Sequence, residues 1–160
     1  MKFSHQLTYD ATPDEVHAML ADPKFREKVC AAMDAVRHDV SIEDGDSGMQ
    51  VVVDQTQPSK GVPQFAKKFV GDEIRIVQRE AWKDSSSASL VVEIPGKPGA
   101  LNGGIALAGN GAGTVETVSG DLKVKIPMVG GKLETMISDL LRAALTSEER
   151  VGRAWLADDR

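Results

Sequence analysis

Several residue types are scarce in this chain of 160 residues, and each scarcity removes a class of protein. There is one cysteine, Cys30, which excludes an internal disulfide framework and a cysteine-rich zinc site. Three histidines, with no HExxH or CxxC spacing, leave little from which to build a metal site, and no cofactor is implied. No window approaches about 18 apolar residues, so no transmembrane helix is expected. The amino-terminal MKFSHQLTYD also lacks the apolar run of a signal peptide. These absences point to a cytoplasmic protein without integral membrane association. Basic charge is outweighed, 19 Lys and Arg against 24 Asp and Glu, giving −5 and a pI near 5.2. That argues against a general nucleic-acid binder, which needs a basic face to displace counterions, although Lys67 and Lys68 form a local basic pair. Aromatic residues make up 4% of the chain, so the core must be aliphatic.

The remaining composition, 41% hydrophobic, suits a globular fold, and the length suits one domain over residues 1–160. The longest helical pattern lies near the end, from about Pro127 to Leu156. Leu133, Met136, Ile137, Leu140, Leu141, Ala144 and Leu145 recur at i, i+3, i+4 and i+7, with Lys132, Glu134, Thr135, Ser138, Asp139 and Arg142 opposite. Leu140 is expected against a sheet, so that Leu140→Asp would bury an unpaired carboxylate and abolish folding. Thr146-Ser147-Glu148-Glu149 reads as a second capping box, which leaves open one kinked helix or two. Trp155 is expected to close the far end of a cavity or to sit in an oligomer contact.

The earlier chain reads differently. Residues 2–9 alternate, with Phe3, His5, Leu7 and Tyr9 on one face. Thr12-Pro13-Asp14-Glu15 carries an N-cap, a proline suited to the first turn and a capping box, and Asp22-Pro23 repeats the signal. Two short helices follow, the second turning Phe25, Val29, Cys30 and Met33 inward. His17, in the first, is expected at the surface. Period two returns with Val36, His38, Val40 and Ile42, then the turn Asp44–Gly48, then strands over Met49–Thr56, Asp72–Trp82, Ser87–Ile94, Gly104–Ala108 and Thr114–Pro127, where Gly120 marks a bulge. Gln57–Gly71 is a loop with one helical turn around Phe65–Phe69. Strands joined by short turns form an antiparallel sheet, and the last helix is the apolar element left to cover it. A curved sheet around one helix leaves space at its mouth, and such spaces are mostly apolar with a few orienting polar groups.

Three short motifs mislead. Gly109-Asn110-Gly111-Ala112-Gly113 has the wrong spacing for a dinucleotide fingerprint and reads as a hairpin turn. Gly130-Gly131-Lys132 lacks the other positions of a phosphate loop. It is read as a helix start with close backbone packing, against the alternative of an anion held at the helix amino terminus. Asp44-Gly45-Asp46 fails as a calcium loop at its third and twelfth positions, Gly48 and Gln55.

The order of elements, with Lys2-Phe3-Ser4-His5, Thr12–Val16, Asp22-Pro23-Lys24-Phe25, Glu80-Ala81-Trp82 and Gly120 with Ile126–Glu134, resembles the START-like (SRPBCC) superfamily of helix-grip proteins. That superfamily includes the birch-pollen allergen family and polyketide cyclases. Within it the chain is most similar to an uncharacterised bacterial family, domain of unknown function 2505. The resemblance spans nearly the whole chain. It implies an α+β helix-grip fold: a seven-stranded curved antiparallel sheet around a long C-terminal helix, two short helices after the first strand, and a hydrophobic cavity between. Superfamily members bind lipids, sterols or polyketides, and some catalyse reactions on them, but no shared catalytic set transfers.

Candidate residues follow from the patterns. In the resembled fold the first two strands are antiparallel neighbours, which would bring His5 and His38 together for acid–base work or as hydrogen-bonded core positions. Gln78, Glu80 and Trp82 share a face with Ile74 and Ile76; either that face lines the cavity and Glu80 is an inward carboxylate, or Val77 is inward and Glu80 is solvated. Phe65 and Phe69 are read as a lid or as pins for their loop. The expected ligand-binding set is Phe65, Phe69, Gln78, Glu80, Trp82, Leu90, Val92, Met136 and Leu140. Three functions stay in view: a carrier of a lipid-like or polyketide-like molecule without catalysis, favoured by the aliphatic inward set; a cyclase or hydratase using His5, His38 or Glu80; and a protein-interaction module. The expected partner is a hydrophobic small molecule, with no nucleic acid, and the chain is read as a monomer or homodimer.

Overall fold

The structure, a computed structural model, describes residues 1–60 and 62–158. Among the described residues seven strands and four helices follow one another as β1 (Lys2–Tyr9), α1 (Pro13–Leu20), α2 (Pro23–Ala32), β2 (Arg37–Gly45), β3 (Gly48–Pro58), α3 (Gln64–Val70), β4 (Glu73–Trp82), β5 (Ser87–Glu93), β6 (Gly99–Asn110), β7 (Gly113–Val124) and α4 (Gly130–Asp158). The strands form one antiparallel sheet in the order β1-β7-β6-β5-β4-β3-β2. Every neighbour pair from β2 to β7 is consecutive in sequence, as short turns dictate; β1 joins beside β7.

That order separates β1 from β2. They are the two edges of the sheet, and α1 and α2 carry the chain from one edge to the other. His5 and His38 are therefore not neighbours. His5 lies opposite Val118, and His38 lies opposite Gln55 with its Nε2 3.7 Å from Glu27. The expected pairing rested on the first two strands being neighbours, which the sheet order overturns, and His38 is exposed rather than on an apolar face.

Both short helices start as their sequences dictate. Thr12 Oγ1 accepts the Glu15 backbone N–H while the Glu15 carboxylate accepts that of Thr12, and Asp22 Oδ1 accepts that of Lys24. His17 is half-buried rather than superficial, its ring edge-on to Trp82 with centroids 5.2 Å apart. The Gly109–Gly113 run is the expected hairpin turn, with Gly111 at φ 64°. β6 reaches from Gly99 to Asn110, well beyond Gly104–Ala108, because its whole length pairs with β7 despite weak strand propensity. Gly120 marks no bulge, since pairing runs unbroken through it on both sides. It faces Gly103 across the ladder, and a Cβ on it would come within 2.4 Å of the Asn102 carbonyl oxygen. A close approach of backbones is the other reason for a glycine inside a strand.

α4 is one helix of 29 residues, so Thr146–Glu149 does not cap a second. Its closest packing is on β1, β7, α1 and α2. One flank clasps the β1 edge: the Arg142 guanidinium donates to the Ser4 carbonyl, Glu149 accepts the Thr8 backbone N–H, and Arg153 donates to the Thr8 carbonyl. These contacts satisfy backbone groups that an edge strand otherwise leaves open. Leu133, Gly152, Trp155 and Leu156 are buried, Trp155 edge-on to Phe25 at 5.7 Å. Trp155 thus packs on α2. Leu140, by contrast, is 44% exposed, and Ser138 is buried in its place. The inward face is turned further toward β1 than the apolar pattern indicates, because the polar clasp on that edge sets the helix's rotation.

Candidate functional site

The turn of α4 toward β1 and β7 opens a gap on its other side. There the concave face of β3, β4 and β5 and the α4 flank of Met136, Leu140, Ala143 and Ser147 line an open-mouthed chamber of about 450 Å³. Its floor is aliphatic, with Ile74, Ile76 and Val92 from the sheet and Ile137 and Leu141 from the helix. Its polar side chains are few: Gln78, Gln55 and Gln57, the last two hydrogen-bonded to each other at 3.0 Å, with Asp34, Lys60 and Ser147. One end is plugged by a small cluster of Val62, Ala66, Phe69, Val70, Ile74, Val124 and Leu133.

The face of β4 that looks inward carries Ile74, Ile76, Gln78, Glu80 and Trp82, which settles the open choice of register. Val77 is nonetheless buried, because Arg75 and Arg79 reach from either side of it to Asp54 and Glu93, the two residues beside it on the neighbouring strands.

Beyond Gln78 lies a second, inner chamber of about 50 Å³, and Gln78, Val92, Leu101, Leu141 and Ala144 line both. Its chemistry is different. Arg26 of α2 reaches into the core and forks onto Glu80, Nη1 to Oε2 at 2.7 Å and Nη2 to Oε1 at 2.8 Å, while its Nε donates to the Leu20 carbonyl at 2.8 Å. Trp82 Nε1 donates to Glu80 Oε1 at 2.8 Å and Gln78 Nε2 to Oε2 at 2.6 Å. Burial raises the Glu80 carboxyl, but the Arg26 charge and these hydrogen bonds outweigh it and hold the group below the ordinary carboxylate range. Glu116 of β7 and Glu148 of α4 complete the wall. Burial drives both carboxyls up, Glu148 to about 7 despite the Arg26 charge, and Glu116 well above the ordinary value with the Glu148 charge adding to the push. The Tyr9 hydroxyl is raised by burial and by the same carboxylates.

The sheet register places the inner chamber's strand residues in one row. Val51, Glu80, Leu90, Gly103, Gly120 and Phe3 form one row across five adjacent ladders. The two facing glycines place no side chain on the concave face beside Glu80 and Leu90. Phe3, Glu80 and Leu90 of that row line the inner chamber.

Of the residues singled out from sequence, Gln78, Val92, Met136 and Leu140 line the outer chamber, and Glu80 and Leu90 the inner one. Phe65, Phe69 and Trp82 line neither. Phe65 is exposed on α3, Phe69 belongs to the plug, and Trp82 is a core residue holding Glu80. His5, His38 and Glu80 occupy three separate environments. Sequence reasoning missed Arg26, Glu116 and Glu148, although two of them carry a readable signal. Glu116 falls on the period-two face of Thr114, Val118, Leu122 and Val124, and Glu148 on the helical stripe of Leu141, Leu145 and Trp155. Charges on apolar faces mark buried sites. Arg26 gives less warning, since it sits between Phe25 and Val29 at the margin of the inward face.

Among the described residues, no group of three or more His, Cys, Asp or Glu is placed to hold a metal ion, and no helix is long and apolar enough to cross a membrane.

Residues 4–156 match the family described as "Protein of unknown function (DUF2505)", and the chain belongs to that family. "Uncharacterized protein Rv0481c" of Mycobacterium tuberculosis is 24% identical, the match covering 98% of this chain and 97% of that protein. Among solved structures, TTHA0849 from Thermus thermophilus superposes with a TM-score of 0.66 at 17% identity, covering 96% of this chain and 98% of that one. The Zhui aromatase/cyclase from Streptomyces sp. R1128 gives 0.62 at 12%, covering 96% and 92%. Norcoclaurine synthase from Thalictrum flavum gives 0.61 at 14%, covering 99% and 87%. At these identities the likeness shows the fold alone, a helix-grip fold.

Proposed function

For this member of a family of unknown function, we propose a carrier role: the chain binds a hydrophobic small molecule, lipid-like or polyketide-like, in the outer chamber between β3–β5 and α4. One observation carries this reading. The chamber has about 450 Å³ and a mainly aliphatic lining with a few amides, within the range of small-molecule sites. Native cores do not leave so much space between packed elements. The fold is shared with an aromatase/cyclase and a norcoclaurine synthase, so its cavity is compatible with small-molecule chemistry elsewhere. A catalytic reading through His5, His38 and Glu80 lacks geometry, because neither histidine lines either chamber. An interaction module would need a chamber too small for a ligand.

Thermal denaturation against a panel of fatty alcohols, fatty amines, fatty acids, sterols and aromatic polyketides tests the role. At least one class should raise the melting temperature, since a ligand at about a hundred times its Kd stabilises the native state by about 2.7 kcal/mol. A flat response across the panel overturns the carrier reading.

A further inference from the structure

The inner chamber contains an acceptor that the fold does not use. Glu116 is 1% exposed, and its Oε1 has no hydrogen-bond partner among the described residues. Glu80, beside it, has both oxygens engaged twice. Buried polar atoms normally find partners, and a space of about 50 Å³ has room for a group about the size of one water. The five residues shared by the two chambers put this space at the inner end of the outer one.

Resting on the carrier reading, we propose that the inner chamber receives a hydrogen-bond-donating head group, a hydroxyl or an ammonium, of the molecule whose hydrocarbon part fills the outer chamber. Glu116 Oε1 accepts from the head group, and Glu148 stands across from it on α4. A carboxylate head is disfavoured. It would meet the Glu80 charge and, above about pH 7, that of Glu148, while the cation lining the space, Arg26, is already forked onto Glu80 and bonded to Leu20. The charged and titratable groups around the space are Arg26 from α2, Glu80 from β4, Glu116 from β7, Glu148 and Glu149 from α4, and Tyr9 from β1. An ammonium would displace a proton from this set, whereas a hydroxyl would not.

Calorimetric titration of the intact protein with decanol, decylamine and decanoate tests the head group at constant chain length. Decanol or decylamine should bind at least about tenfold more tightly than decanoate. Decylamine affinity that rises between about pH 6 and pH 8 identifies the ammonium as the donor, and pH-independent decanol binding identifies the hydroxyl. In Glu116→Met the preference should fall toward parity while the ligand-free protein melts higher, because an unpaired buried oxygen is gone. Glu148→Gln should weaken decylamine more than decanol. Decanoate binding as tight as the others, or a preference unchanged in Glu116→Met, overturns the head-group assignment and leaves the carrier role intact. Failure of all three ligands to bind overturns both.

Discussion

The outer and inner chambers share five wall residues, and they differ in what else enters them. The outer chamber exists because α4 leans away from it, clasped to the β1 edge by Arg142, Glu149 and Arg153. Its walls are aliphatic and tolerate change. The inner chamber has apolar walls too, but four charged or titratable side chains, Arg26, Glu80, Glu116 and Glu148, enter it and depend on one another. A cavity bounded by alkyl groups loses dispersion contacts but strands no polar group. A cavity bounded by a buried ion pair depends on every partner staying in place. The difference separates residues that tune what is bound from residues that keep the protein folded.

The largest expected effect comes from splitting the ion pair. Arg26→Leu leaves Glu80 buried without its cation and should cost about 3–5 kcal/mol, read from denaturant unfolding. The double variant Arg26→Leu/Glu80→Leu should recover most of that loss, because two apolar groups replace the pair. If the single and double variants are equally unstable, the pair is not what links α2 to β4.

Next is the pH response. Burial raises the Glu148 carboxyl from about 4.5 to about 7. A raised carboxyl favours the protonated native form, so its contribution is complete below about pH 4.5 and is lost as pH climbs to about 7. Relative to Glu148→Gln, the natural protein should lose on the order of 2–3 kcal/mol over that window. Parallel stability curves for the two proteins would place Glu148 in water.

Smaller effects are expected in the outer chamber. Ala144→Met extends a side chain into the junction of the chambers and should weaken ligand binding at least about tenfold while changing stability by less than about 1.5 kcal/mol. Equal ligand affinity in this variant would move the binding site elsewhere. Smallest of all is Leu140→Asp at the chamber rim. With Leu140 44% exposed, the variant should keep a cooperative melt within about 1 kcal/mol of the original.

That last expectation reverses the one drawn from sequence, and the reason is instructive. Helical periodicity identified α4 and its apolar side, and the Thr12 capping box and the Asp22 N-cap located the starts of α1 and α2. What periodicity could not supply was the rotation of α4, which depends on polar contacts to β1 more than a hundred positions away in the chain. Strand alternation likewise put Glu80 and Gln78 on one face but left open which face was inward, since β4 is buried on both sides at Val77. The pairing of His5 with His38 failed because the sheet order is a long-range property. Glu116 and Glu148 were legible as charges on apolar faces. Their joining with Arg26 was not, because β7, α4 and α2 meet only in the folded chain.

The central claim is that the outer chamber is a ligand site, and the most direct measurement is a methyl NMR titration of the protein with decanol. The account predicts saturable shifts at Ile76, Val92, Met136 and Ile137, with Leu7 and Val16 in the closed core unmoved. Unchanged chamber methyls, or shifts confined to the exposed Met128, would contradict it.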